Sequence, residues 1–281
     1  MGEITTRDGT ALHVEESYGG GRPVVLIHGW PLSGQSWEGQ VGALVDEGYR
    51  VITYDRRGFG RSDKPPTGFD YDTLAADLDD IATALDLRDM TLVGFSMGGG
   101  EVARYIANHG EDRLDSIVLA SAVTPYMLQT EDNPFGPLTP EEATQMKTDL
   151  ETDREAFFDE FTRAFYSVAD ELKVTEAERQ KSIEWARQSD PQAALACMES
   201  FGGTDFRGDL DEITVPALVI HGDSDDIVPV SGSAERTQEQ VRSSSLQVIS
   251  GAPHGLLASH TSEFNEALLG FLAERNGDMA D

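Results

Sequence analysis

Thr91-Leu92-Val93-Gly94-Phe95-Ser96-Met97-Gly98-Gly99-Gly100-Glu101 is the stretch that decides how this chain folds. An apolar run, a Gly-x-Ser-x-Gly pentapeptide and a helix-forming run to Ala107 follow one another without a gap. Strand, sharp turn and helix in that order are the setting of a nucleophile elbow, where a serine hydroxyl projects from the turn. Such a turn is strained and brings the helix close to the strand, so it needs small neighbours. Gly94 and Gly98 supply them. A glycine-rich loop without chemistry would share the glycines but not the flanking strand and helix.

Outward from the elbow, short apolar runs alternate with amphipathic stretches. Val24–Ile27, Val51–Tyr54, Thr91–Val93, Ile117–Ala120, Ala217–Ile220 and Leu246–Ile249 read as buried strands. Between them Leu74, Leu78, Ile81 and Leu85 share one helical face, with Asp72 as its expected N-cap. Phe264, Ala267, Leu268, Phe271 and Leu272 mark a closing helix. This alternation predicts an α/β fold with a mostly parallel sheet and helices on both faces. The opening differs, since Glu3–Thr6 and Ala11–Val14 flank Arg7-Asp8-Gly9-Thr10 as an antiparallel hairpin.

Residues 123–211 break the alternation. Thr139-Pro140-Glu141-Glu142 joins a capping box to a proline at the first helical position, and Thr175-Glu176-Ala177-Glu178 is a second capping box. Phe157, Phe161 and Phe165 recur at helical spacing, and Asp190-Pro191 opens a further helix. The expected organisation is a core of residues 1–122 and 212–281 with a helical cap, residues 123–211, inserted over the C-terminal edge of the sheet.

A serine hydroxyl is a poor nucleophile at neutral pH and needs a base. Of six histidines, His254 lies in Gly251-Ala252-Pro253-His254-Gly255, a turn-rich loop between the last strand and the last helix. The acid is expected in Gly222-Asp223-Ser224-Asp225-Asp226-Ile227-Val228-Pro229. Asp225 is the best placed; Asp223 fits a loop brace, and Asp226 fits a position facing solvent or the cap. The order Ser96, Asp225, His254 is that of α/β-hydrolases. An oxyanion hole takes one backbone N–H from the residue after the nucleophile, Met97, and a second from His28-Gly29-Trp30-Pro31, with Trp30 the donor because proline has no N–H. The Met97 and Trp30 side chains are expected beside Ser96. Trp30, Pro31, Phe95, Met127, Phe157 and Ile227 are the expected substrate pocket, while Phe158 and Phe161 suit either pocket or packing. Gly58-Phe59-Gly60 follows a strand, but Asp63 replaces the third glycine of a dinucleotide fingerprint. The scattered histidines give no metal-binding spacing, so no metal and no cofactor is expected.

His28-Gly29-Trp30-Pro31-Leu32-Ser33, Tyr54-Asp55-Arg56-Arg57-Gly58-Phe59-Gly60-Arg61-Ser62, Gly94 to Glu101 and Gly251 to Gly255 resemble the cofactor-free bacterial haloperoxidases. These are also called perhydrolases, and arylesterases are their relatives, all within the α/β-hydrolase superfamily. The resemblance runs from about Pro23 to the last helix and fades across residues 123–211. It implies a Ser-His-Asp carboxylesterase that forms an acyl-enzyme from a small ester or carboxylic acid. Water then yields the acid, and hydrogen peroxide yields a peracid that oxidises bromide or chloride in solution. In that family a proline after the oxyanion tryptophan accompanies perhydrolysis, and Pro31 meets this. Members often form homo-oligomers, which leaves self-assembly open here.

Composition limits the partners. Asp and Glu number 51 against 21 Lys and Arg, and the lysines are only Lys64, Lys147, Lys173 and Lys181. Such a surface repels nucleic acid and anionic membranes. Crowded carboxylates also oppose compaction, and salt relieves this as the Debye length falls from about 10 Å at 0.1 M to about 3 Å at 1 M. The acid is spread along the chain, which points to the cytoplasm of a halophilic microorganism. The polar start Met1-Gly2-Glu3-Ile4-Thr5 has no leader pattern, and no apolar run is long enough for a membrane span. Cys197, without a disulfide partner, reads as a small buried hydrophobe. Two other readings keep the fold: hydrolysis of an enol-lactone or a carbon–carbon bond, and a ligand receptor with little turnover. A dehalogenase or epoxide hydrolase would carry a carboxylate where Ser96 stands.

Overall fold

An eight-stranded sheet runs through the computed structural model, which describes residues 2–17 and 20–277. Met1 and residues 278–281, the outer ends of the expected core segments, lie outside the described residues. Strands β1 (Gly2–Thr5) and β2 (Ala11–Ser17) form the antiparallel hairpin around Arg7-Asp8-Gly9-Thr10. Next come β3 (Pro23–Ile27), α1 (Glu38–Asp46), β4 (Arg50–Tyr54), α2 (Tyr71–Ala84), β5 (Met90–Phe95), α3 (Met97–His109) and β6 (Leu114–Ala120). The chain then leaves the sheet for α4 (Pro140–Thr152), α5 (Arg154–Tyr166), a short hairpin of β7 (Ser167–Val168) and β8 (Glu171–Leu172), α6 (Glu176–Arg187), α7 (Pro191–Gly203) and α8 (Arg207–Asp211). It returns through β9 (Ala217–Gly222), α9 (Ala234–Gln240), β10 (Ser244–Ile249), α10 (Leu256–Ser259) and α11 (Thr261–Gly277).

The strand order is β1-β2-β4-β3-β5-β6-β9-β10, parallel throughout except for the pairs of β2 with β1 and β4. The chain passes from β3 to β4 on one side and crosses to β5 on the other. That switch point opens a crevice at the C-terminal ends of the strands, where open α/β sheets place their ligands.

Both faces of the sheet are covered, and the strands show it as continuous apolar runs. Val24 to Ile27 are all fully buried. Alternate side chains point to opposite faces. Val25, Ile27 and Leu92 pack with Leu74, Leu78 and Ile106 of α2 and α3, while Val24, Leu26 and Val93 pack with Trp37, Phe264 and Leu268. Each such burial is worth about 1.5–3 kcal/mol. The outermost strand behaves differently. β10 was expected to be buried, yet it forms the sheet edge; Val248 is 40% exposed, and Ile249 alone of its residues is buried. The strand pairs with β9 alone, and α9 and α11 touch it without covering its outer residues.

Local signals set the helix starts. The α2 cap is Asp70, whose carboxylate accepts from the Thr73 N–H at 2.9 Å, and not Asp72. The helix begins earlier because Tyr71 is already a buried anchor, which leaves Asp72 in the first turn to accept from Arg104 at 2.6 Å. Thr139 and Thr175 both close capping boxes, with Glu142 and Glu178, and Asp190 caps α7 ahead of Pro191. Cys197 is buried on α7. Among the described residues no helix is long and apolar enough to cross a membrane.

Candidate active site

The turn between β5 and α3 holds Ser96 at φ 53°, ψ −117°, a region that a residue with a side chain occupies only when its surroundings force it. Close backbone contact does the forcing. A methyl group on Gly94 would collide with the Gly98 carbonyl, and one on Gly98 would lie 2.5 Å from the Ile27 carbonyl oxygen. The Ser96 N–H donates to the Ala120 carbonyl at 2.8 Å, which pins the turn to β6.

Three side chains from three loops meet here. His254, after β10, places Nε2 2.9 Å from Ser96 Oγ. Its Nδ1 lies 2.7 Å from Asp225 Oδ2, in the loop after β9. An ionised carboxylate only accepts, so Nδ1 carries the proton and Nε2 is free to accept from the serine hydroxyl. The ring is held in place by Phe95 and Phe165, with centroids 5.3 and 5.0 Å away.

Asp225 is buried, and burial by itself raises a carboxyl pKa. The His254 and His221 imidazoles outweigh that and hold Asp225 below the usual carboxylate range. Its Oδ1 also accepts from the N–H groups of Ile227 and Val228, at 3.0 and 2.8 Å. Asp223 braces the neighbouring loop by accepting from the Gly251 N–H at 2.7 Å, and Asp226 is exposed at the cavity wall.

His221 was not singled out from the sequence. It sits at the end of β9, donates from Nε2 to the Val228 carbonyl at 2.6 Å and lies 3.3 Å from Asp225 Oδ2. Its position four residues before Asp225 was the available signal.

Trp30 and Met97 come together around Ser96. A methyl group on Gly29 would stand 3.1 Å from Ser96 Cβ, so the loop after β3 touches the serine. Met97 is the first residue of α3, where amide N–H groups lack intrahelical acceptors and the helix dipole favours negative charge. The indole Nε1–H of Trp30 donates to the Ala194 carbonyl of α7 at 2.9 Å, which ties this loop to the inserted helices.

A cavity of about 440 Å³ opens above Ser96 and His254, a volume suited to a small organic molecule. Trp30, Met127, Phe157 and Ile227 line it as expected, joined by Phe161 and Phe201. Ser96 is only 7% exposed, so a substrate reaches it through this space. Other expectations fail. Phe95 does not line the cavity; it packs behind the His254 ring, with Trp37 and Phe165. Pro31 is buried in its loop and does not line the cavity. The Met97 side chain is buried in the core rather than in the cavity wall; of the two readings for Phe158, the structure takes packing. Glu142, Asp149, Glu160 and Asp226 add carboxylates to the wall.

Residues 22–261 match the family model of the alpha/beta hydrolase fold. The chain is 42% identical over 272 residues to a non-heme chloroperoxidase of Kitasatospora aureofaciens, covering 95% of this chain and 98% of that one. It is 35% identical over 278 residues to a bifunctional esterase/perhydrolase of Acinetobacter calcoaceticus, covering 97% and 99%. Its structure resembles that of a bromoperoxidase from Bacillus anthracis with a TM-score of 0.94 and 48% identity, over 97% of this chain and 99% of the other.

Proposed function

We propose that this chain, which belongs to the alpha/beta hydrolase fold family, hydrolyses small carboxylic esters through an acyl-enzyme on Ser96 and makes peracids when hydrogen peroxide replaces water. The observation that carries this reading is the continuous hydrogen-bonded line from Asp225 through His254 to Ser96 Oγ, at 2.7 and 2.9 Å, beneath an apolar cavity. Relatives named as chloroperoxidase and as esterase/perhydrolase support the choice of chemistry.

Ser96 Oγ attacks the ester carbonyl while His254 Nε2 takes its proton. Negative charge grows on the carbonyl oxygen, and the amides of Met97 and Trp30 receive it. The carbon–oxygen bond to the alcohol then breaks as His254 hands the proton to the leaving oxygen. Asp225 stabilises the imidazolium formed on the way and fixes its orientation. Water attacks the acyl-enzyme with the same base, releasing acid and restoring Ser96. Hydrogen peroxide in place of water releases a peroxycarboxylic acid. In solution that peracid transfers its terminal oxygen to bromide, taking up one proton, and leaves carboxylic acid and hypobromous acid.

Residues 123–211 serve as a cap in this reading, with Phe157, Phe161 and Met127 shaping the acyl site. The high-salt cytoplasm of a halophilic microorganism is the proposed setting, supported by the net charge of −30.

The test uses the whole protein in molar salt. A fluorophosphonate probe is expected to label Ser96, and Ser96→Ala and His254→Ala are expected to lose 4-nitrophenyl acetate hydrolysis. Peroxide-dependent bromination in acetate buffer tests the peracid branch, with EDTA expected to leave it unchanged. Full hydrolysis by Ser96→Ala would end the proposal, and bromination abolished by EDTA would end its cofactor-free form.

A further inference from the structure

A buried ion pair lies directly behind the loop that carries Trp30. Arg56 and Glu101 are about 1% exposed, and Arg56 Nε donates to Glu101 Oε2 at 2.8 Å. The Tyr54 hydroxyl donates to the other carboxylate oxygen. Burying such a pair costs several kcal/mol per ion in desolvation, repaid only when its groups find well-placed partners. Hydrophobic residues of the same volume would pack here without that cost. The remaining Arg56 contacts give the pair a use.

Arg56 Nη2 donates to the His28 carbonyl at 2.8 Å, and the Arg56 backbone N–H donates to His28 Nε2 at 2.9 Å. With Nε2 accepting, the neutral imidazole carries its proton on Nδ1, which donates to the Gly29 carbonyl at 2.9 Å. Burial first, and then the Arg56 charge, keep His28 neutral, with its pKa pushed down to about 3. The Gly29 carbonyl and the Trp30 N–H share one planar trans peptide, so they point in opposite directions. Holding that carbonyl aims that N–H. Glu101 rides on α3, the helix whose first residue, Met97, supplies the other amide.

We propose that the Arg56–Glu101 pair is the positioning device of the oxyanion hole: through His28 and the Gly29 carbonyl it sets the direction of the Trp30 amide and ties it to the helix carrying the Met97 amide. Neither side chain touches substrate; both act through His28. The pair and its relay are therefore selected for the geometry of a transition state, while ground-state binding depends on the cavity above. This inference rests on the acyl-enzyme reading given above.

The experiment compares Glu101→Gln with Asp77→Asn. Asp77 forms a comparably buried pair with Arg57, at 2.5 Å, and has no hydrogen bond to His28, Gly29 or Trp30, so it reports the cost of breaking a buried pair without touching the relay. A single oxyanion donor is worth about 10²–10³ in kcat, so a misaimed one should cost about 10- to 100-fold. Glu101→Gln is expected to lower kcat by that factor with KM within about twofold. Affinity for a trifluoromethyl ketone, whose adduct carries the oxyanion, should fall in parallel. Asp77→Asn should lower the melting temperature and leave kcat and inhibitor affinity unchanged. Should Glu101→Gln not fold, Tyr54→Phe removes one bond from Glu101 without unpairing Arg56, and a smaller fall of the same kind, about 2- to 5-fold, is expected. Wild-type kcat and inhibitor affinity in folded Glu101→Gln, or in Tyr54→Phe if only that folds, would overturn the inference. So would an equal loss in Asp77→Asn. Loss of activity in Ser96→Ala together with either result would leave the acyl-enzyme reading standing; hydrolysis by Ser96→Ala would remove both.

Discussion

Asp225 Oδ2 meets His254 Nδ1 at 2.7 Å with both side chains buried, and the same carboxylate takes two backbone N–H groups on its other oxygen. The carboxylate is thus fixed by its own loop before the imidazole reaches it. The histidine tautomer follows from that fixed acceptor.

Asp225→Asn keeps the shape but offers an amide that can donate to Nδ1. The imidazole then tends to carry its proton on Nε2 and cannot accept from Ser96. We expect kcat for 4-nitrophenyl acetate to fall by about 10³–10⁴ while the fold is retained. A loss below tenfold would remove Asp225 from the proton relay.

Gly29 is the point of closest approach between the β3 loop and the elbow. A methyl group there would stand 2.8 Å from the Phe95 ring and 3.1 Å from Ser96 Cβ. Gly29→Ala therefore has to push the Trp30 amide away from Ser96. Fluorophosphonate labelling and hydrolysis should both slow by about tenfold or more. Unchanged rates would mean that the loop gives way without moving its amide.

His28 is neutral in the folded protein, with its pKa pushed down to about 3 chiefly by burial and then by Arg56, whereas an unfolded histidine titrates near 6.5. Between those values the unfolded chain binds the extra proton, so this site contributes stability above pH 6.5 that is lost as the pH falls toward 3. From pH 7 to pH 5 the loss is about 2 kcal/mol, approaching 1.36 kcal/mol per unit once the unfolded histidine is fully protonated. Urea midpoints of wild type and His28→Gln at pH 7 and pH 5 check this: the wild type should lose more. Equal losses would show that the imidazole is not held neutral.

The surface carries a net charge of −30, so even complete pairing of the bases leaves a large carboxylate excess. Screening should raise the melting temperature between 0.1 M and 2 M potassium chloride, with most of the gain at the low end where the Debye length changes most. A flat melting curve across that range would remove the high-salt setting.

Legibility followed periodicity and turn chemistry. The elbow, the strand runs on either side and the two threonine capping boxes were readable because each depends on neighbours within a few residues. The α2 cap was missed by two positions because Tyr71 extends the helix by burying its ring, a tertiary effect. Adjacency to Ser96 suggests that Phe95 lines the pocket, but strand alternation turns its ring behind the His254 imidazole, outside the cavity. The sequence gives Arg56 and Glu101 no role beyond the motifs that contain them. One signal was present: Glu101 follows Gly98-Gly99-Gly100 on the inward face of α3, where a buried charge requires a partner.

The linear order of residues determined the α/β alternation, the strained serine turn and the loops from which base and acid come, because these rest on short-range sterics and on apolar period. The sequence also favoured Asp225 over Asp223 and Asp226 by its place in the loop, and the imidazole meets it. Only folding decided the aromatic walls of the cavity and the link from Glu101 through Arg56 to the Trp30 amide. Those choices depend on distances of a few ångströms between segments far apart in the chain. Only the packing of both sheet faces sets such distances.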